Sequence, residues 1–183
     1  MFEADITACF DEIDHAALLD RVRGRIADRR VLVLVKAFLR AGILAEDQVR
    51  RDTVTGTPQG GILSPLLANI ALSGLDEQFA AKWAALGPEW TRVKHLRTGG
   101  AAWKLVRYAD DFVVLVAGTR ADADALWGEV ATVLALMGLR LSAAKTRVCH
   151  IDGGFEFLAG ASSAGPNQGP TSGRSTPGRR RSP

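Results

Sequence analysis

The sequence predicts an α+β fold, an antiparallel sheet with helices packed on one face, followed by a tail that builds no core. Three observations carry this. Two short apolar runs rich in β-branched or aromatic residues, Ala101–Val106 and Phe112–Ala117, flank a tight turn and read as a hairpin. Longer stretches elsewhere repeat apolar residues at helical spacing. After residue 160 the composition switches abruptly to Gly, Pro, Ser, Thr and Arg, too poor in apolar side chains to fold on themselves. With 183 residues, 47% of them hydrophobic, the chain has material for one domain. That domain is assigned to 1–160 and a disordered tail to 161–183.

Taken in order, Phe2–Ile6 reads as a short strand carrying Asp5. Asp14 is a suitable N-cap for a helix whose apolar face is Ala17, Leu18, Val22 and Ile26. A second helix covers Arg29–Ala41 and ends at Gly42, with Val31, Leu34, Val35, Phe38 and Leu39 inward. Glu46–Val54 reads as an irregular hairpin arm. Gly56–Gly61 holds three glycines and a proline in six residues, a backbone-exposed turn that can approach a substrate closely. It feeds a helix with Ser64 as N-cap and Pro65 at the first helical position, burying Leu66, Leu67, Ile70, Leu75 and Phe79. Residues 82–100 read as a surface connection with partial helix, where tryptophans either cap the core or stack on nucleic acid. Thr119 and Asp122 resemble a capping box, opening a helix to Met137 that Gly138 stops. Arg147–Ile151 and Phe155–Leu158 read as a closing hairpin.

Charge is distributed unevenly. Residues 1–160 hold 19 of the 23 Lys and Arg and all 20 Asp and Glu, so the basic excess lies in Arg174, Arg179, Arg180 and Arg181. Overall basicity therefore does not identify a binding groove. The local clusters are Arg21–Arg30 and Arg92–Arg107, each either a solvated face or a phosphate contact. Two cysteines, Cys9 and Cys149, lack metal-site spacing, and together with the absence of a signal-peptide pattern they give a cytoplasmic expectation. The longest apolar runs are far too short to span a bilayer, so no membrane partner is expected.

The chemistry centres on Asp110 and Asp111, two adjacent carboxylates at the tightest point of the hairpin. Like charges at a core edge are unfavourable unless a cation offsets them, and hard oxygen donors suit Mg²⁺ or Mn²⁺. An exposed acidic hairpin tip is the alternative. Asp5, on a strand far upstream, joins them only through tertiary pairing. Three carboxylates from two strands suffice to hold two metal ions about 4 Å apart, the arrangement that drives in-line phosphoryl transfer.

Tyr108-Ala109-Asp110-Asp111 resembles the central motif of reverse transcriptases. Ala4-Asp5-Ile6 with Cys9-Phe10-Asp11 and Ile13-Asp14-His15 resembles the preceding motif. Gly56-Thr57-Pro58-Gln59-Gly60-Gly61-Ile62-Leu63-Ser64-Pro65 through Ile70 is similar to the group II intron-encoded subfamily, the intron maturases. Gly138–Ser142 with Lys145-Thr146, then Gly154–Leu158, resemble its two later motifs. The five occur in the family's order.

The resemblance implies the ferredoxin-like palm of a right-hand polymerase, with β-α-β-β-α-β order. It implies an RNA-directed DNA polymerase acting on an RNA template, a DNA primer and dNTPs, with group II intron RNA as partner. Asp5, Asp110 and Asp111 would be the catalytic and metal residues. Phe10 would abut the sugar of the incoming nucleotide and exclude a 2′-hydroxyl. Gln59, backed by Gly60, would contact nucleotide or template, and Lys145 would serve pyrophosphate as general acid or phosphate contact. Tyr108 would support the primer terminus. The family's fingers precede the Asp5 strand and its thumb and maturase domain follow the last motif. The expectation is thus a truncated palm, from a frameshifted or decayed frame, with an inactive remnant or RNA-binding splicing helper as the alternative.

Overall fold

Phe2–Ala4 (β1) forms an inner strand of the main sheet in the computed structural model, which describes residues 1–40, 55–57, 61–153, 155–158 and 160–162. The hairpin strands are Ala102–Tyr108 (β2) and Asp111–Ala117 (β3), and Arg147–Val148 (β4) closes the far edge. Their order is β2-β3-β1-β4, with every neighbouring pair antiparallel. That is the ferredoxin-like order expected of a palm. Phe2 faces Val114 and Ala4 faces Phe112, so the first strand is held by residues more than a hundred positions away.

Helices cover one face. They are Cys9–Glu12 (α1), His15–Arg23 (α2), Arg29–Arg40 (α3), Ser64–Ala85 (α4), Glu89–Arg97 (α5), Arg120–Asp124 (α6) and Leu126–Ala135 (α7). Phe2, Phe112 and Val114 from the sheet meet Leu18 and Val22 of α2, Leu72 and Leu75 of α4, and Leu126, Val130 and Leu134 of α7. Each such fully buried side chain contributes roughly 1.5–3 kcal/mol through water removed from apolar surface. The backbone α4 is about 33 Å long for its 22 residues, at ~1.5 Å each.

Local signals acted largely as expected. The Asp14 carboxylate accepts from the Ala17 amide at 2.8 Å and caps α2. Thr119 and Asp122 form a reciprocal capping box. Gly138 takes φ 74 where the helix stops.

Four expectations are corrected. In α3 only Val35 and Leu39 are buried, while Val31 and Leu34 face solvent, because α2 covers a single stripe of this helix. The helix expected from Ser64 as N-cap begins one residue earlier in its cap, at Leu63, with Ser64 already helical and buried, and Leu66 lies outward. The helix expected to run unbroken to Met137 divides at Ala125 into α6 and α7. The closing hairpin does not form as read. Arg147–Val148 pairs with β1, whose free edge needs donors and acceptors satisfied, and the Met1 and Cys149 backbones exchange hydrogen bonds just beyond it. Phe155–Phe157 (β5) instead pairs with Gly160–Ser162 (β6), so ordered strand crosses the predicted 160/161 boundary. The hairpin arm at 46–54 and the tail from 163 onward lie outside the described residues. Both cysteines are free thiols, and among the described residues no helix is long and apolar enough to cross a membrane.

Candidate active site

Asp5 stands one step beyond the Ala4–Phe112 pair, where the antiparallel register turns it towards Asp111. Opposed residues in such ladders have Cα atoms about 4.5–5.5 Å apart. Asp110 occupies the turn immediately before β3. The first and the central motif therefore share one end of the sheet.

Asp111 senses both other carboxylates. Burial first, then the charges of Asp110 and Asp5, push the Asp111 carboxyl above the usual range, while Lys145 opposes the shift. The buried Cys9 thiol, beneath the same end of the sheet, is pushed up to about 12 by burial and then by Asp110, with Asp5 adding to it. Lys145 donates to Asp5 Oδ2 at 2.6 Å, and this bond followed by the Asp5 charge raises its own pKa. Among the described residues no carboxylate oxygen of Asp110 or Asp111 accepts a hydrogen bond.

A cavity of about 350 Å³ opens here, between the uncovered face of the sheet and β5. Asp5, Asp111 and Lys145 line its polar side; Phe157 and Leu158 line the other. Hard carboxylate oxygens, mutual repulsion and unsatisfied acceptors are the donor set a divalent cation suits. The side chains are gathered but not closed: among the described residues no three His, Cys, Asp or Glu side chains surround one point.

The turn itself is built unusually. Ala109 adopts φ 55, a left-handed conformation disfavoured for a residue with a Cβ. Arg107 holds it there. Its Nη1 donates to the Ala109 carbonyl at 2.6 Å and to Asn69 Oδ1 at 2.9 Å. Its Nε donates to Asp76 Oδ1 at 3.2 Å, and its other nitrogen pairs with Asp76 Oδ2. Both partners belong to α4. A guanidinium that is 10% exposed thus ties the Asp110–Asp111 turn to the longest helix.

Sequence reasoning leaves Arg107 in a basic cluster that is either a solvated face or a phosphate contact, and gives Asn69 and Asp76 no part in the turn. The signal was present: alternation along β2 puts Arg107 on the same side as Trp103 and Leu105, which are partly buried, while Lys104, Val106 and Tyr108 are exposed.

Of the nucleotide-binding candidates, Phe10 is half-buried in α1 and packs on the core. Its carbonyl accepts from the Thr57 amide at 2.6 Å, and Gly56 N donates to Ile13 O at 2.8 Å. His15 Nε2 lies 2.5 Å from the Gly56 carbonyl. The start of the glycine-rich loop is thereby docked beside Phe10. Gln59 and Gly60 lie outside the described residues. Tyr108 is 67% exposed at the end of β2, opposite Asp111.

A family model described as reverse transcriptase (RNA-dependent DNA polymerase) matches residues 1–166. Protein YkfC of Escherichia coli strain K12 is 34% identical over 173 residues, 86% of this chain and 45% of that protein. The group II intron-encoded protein LtrA of Lactococcus lactis subsp. cremoris is 31% identical over 203 aligned residues, 85% of this chain and 33% of its own length. This chain therefore spans less than half of either relative. Among solved structures, an apo telomerase from Candida tropicalis superposes with a TM-score of 0.58 at 13% identity, covering 86% of this chain and 32% of that one. That likeness concerns the fold.

Proposed function

The chain belongs to the reverse transcriptase (RNA-dependent DNA polymerase) family, and from that premise we propose that it is the palm of an RNA-directed DNA polymerase of a group II intron retroelement. One observation carries the reading: Asp5 and the Asp110–Asp111 turn, remote in sequence, meet at one end of the sheet beside Lys145.

Asp5, Asp110 and Asp111 would hold Mg²⁺ or Mn²⁺, which when bound lowers the pKa of a primer 3′-hydroxyl and offsets charge on the pyrophosphate leaving group. The protein's own residues account for the rest. Free aspartate, with a pKa of about 3.9, is ionised at neutral pH, and the burial and neighbouring charges that push Asp111 upward favour any cation that relieves them. Lys145 is kept protonated by Asp5 and so carries the proton a departing pyrophosphate needs. Phe10, fixed against the core on one side and Thr57 on the other, presents a ring that cannot retreat from a 2′-hydroxyl. Gln59 and Gly60, two and three positions after Thr57 in the sequence, serve the nucleotide or template. Tyr108 supports the primer terminus, and a group II intron RNA is the natural partner.

Primer extension with Mg²⁺ on an RNA template and DNA primer tests the reading. Asp110→Asn should lower incorporation at least ~10²-fold, the equivalent of about 3 kcal/mol of transition-state stabilisation. Undiminished extension by that variant removes the assignment.

A further inference from the structure

Ion pairing sorts the basic residues of this chain into two kinds. Arg21, Arg25, Lys82, Arg107, Lys145 and Arg147 each meet a carboxylate. Among the described residues, Arg92, Lys94, Arg97 and Lys104 do not, and neither do Arg29, Arg30, Lys36 and Arg40 of α3. The first four, on α5 and the adjoining part of β2, are the ones set among tryptophans.

The surface around them is aromatic. No residue of α5 is buried, and Trp90 is 71% exposed. Trp90, Val93, Lys94 and Arg97 fall at i, i+3, i+4 and i+7, so they share one helix face. They line a shallow depression whose one acid is Glu89. On the flank, the Arg92 guanidinium lies 4.7 Å from the Trp83 ring centre and the Lys104 ammonium 5.1 Å from it. An indole left in water beside unneutralised cations matches a polyanion whose bases stack. An apolar protein face would strip water from Lys94 and Arg97 without pairing them.

We propose that this face of α5 docks a single-stranded RNA segment, Trp90 stacking on a base while Lys94 and Arg97 hold phosphates. No residue lining this face lines the cavity beside Asp5 and Asp111. Gly99 and Gly100 connect α5 to the start of β2, and the seven residues of β2 separate that point from the Asp110 turn by roughly 20 Å at ~3.3 Å per residue. The proposal rests on the reverse transcriptase reading only in taking RNA as the macromolecule bound; it assigns a second contact, apart from primer and template.

The test is fluorescence anisotropy of a labelled oligouridine with the full chain, titrated against salt. Lys94→Glu with Arg97→Glu should weaken binding at least ~10-fold and reduce the salt slope by about 1.4, near 0.7 per lost phosphate contact. Trp90→Ala should weaken it about tenfold and Trp90→Phe restore most of the loss, since any aromatic face stacks. Asp110→Asn should leave this binding intact, which separates failure here from failure of the polymerase reading. The proposal is overturned if the double variant keeps the affinity and salt slope of the parent. Polyglutamate displacing the RNA from Trp90→Ala and parent alike would also overturn it, because a purely acidic ligand would then suffice.

Discussion

Lys145 reaches across 140 positions to donate its ammonium to Asp5 at 2.6 Å. The bond sets a cation of the protein's own against an acid that the proposed metal must share. Lys145→Ala should therefore raise Mn²⁺ affinity several-fold, read by electron paramagnetic resonance, while nucleotide incorporation falls because a proton source is lost. Parallel loss of both would mean that the lysine builds the metal site instead of competing for it.

Arg107 gives a second prediction. Lysine keeps its charge but not the forked geometry that serves Ala109, Asn69 and Asp76 together. Arg107→Lys should destabilise the fold by about 1 kcal/mol, since the bonds to Asn69 and the Ala109 carbonyl cannot all be kept, while Asp76, 45% exposed, retains water and a cation nearby. Incorporation should fall chiefly in kcat, with KM for dNTP little changed. Chemical denaturation and steady-state kinetics measure the two effects; a KM effect alone would deny the turn its dependence on Arg107.

Asp111 predicts a pH signature. Its folded pKa is raised, so the folded chain holds this proton more tightly than the unfolded chain. Stability from this group is present at low pH and declines as pH climbs from the ordinary carboxylate range through the raised value. Asp111→Asn should raise Tm at pH 8 and have little effect at pH 3.5. Scanning calorimetry at both values checks it, and an equal change at each would contradict the cause assigned.

Gly56 predicts a loop effect. A Cβ there would lie 2.8 Å from the Asp11 carbonyl oxygen, and its φ of +85 disfavours any side chain. Gly56→Ala should destabilise by about 1–3 kcal/mol and raise KM for dNTP, because the loop would lift from Phe10. Wild-type stability would show that the backbone has room to move.

How much of this was legible beforehand depended on the range of the interaction. The Asp14 cap, the Thr119–Asp122 box and the stop at Gly138 are local and were readable from spacing alone. The pairing of Asp5 with the distant Asp110–Asp111 turn was legible through motif order. Arg107 was not, because its partners lie 31 and 38 positions away on a helix face that no short window relates to a strand. The partner of β4 was equally hidden: two residues carry no periodicity, and only the unfilled edge of β1 decides where they go.

The interior position of β1 also constrains how the protein is made. Its neighbours are Phe112–Val114 on one side and Arg147–Val148 on the other. On the ribosome, β1 waits unpaired until residues 112–114 and 147–148 have been translated. Such distant closure slows folding and leaves apolar edges open to other chains in the interval. Asp5, next to β1, is thus set in place only when partners more than a hundred residues downstream arrive.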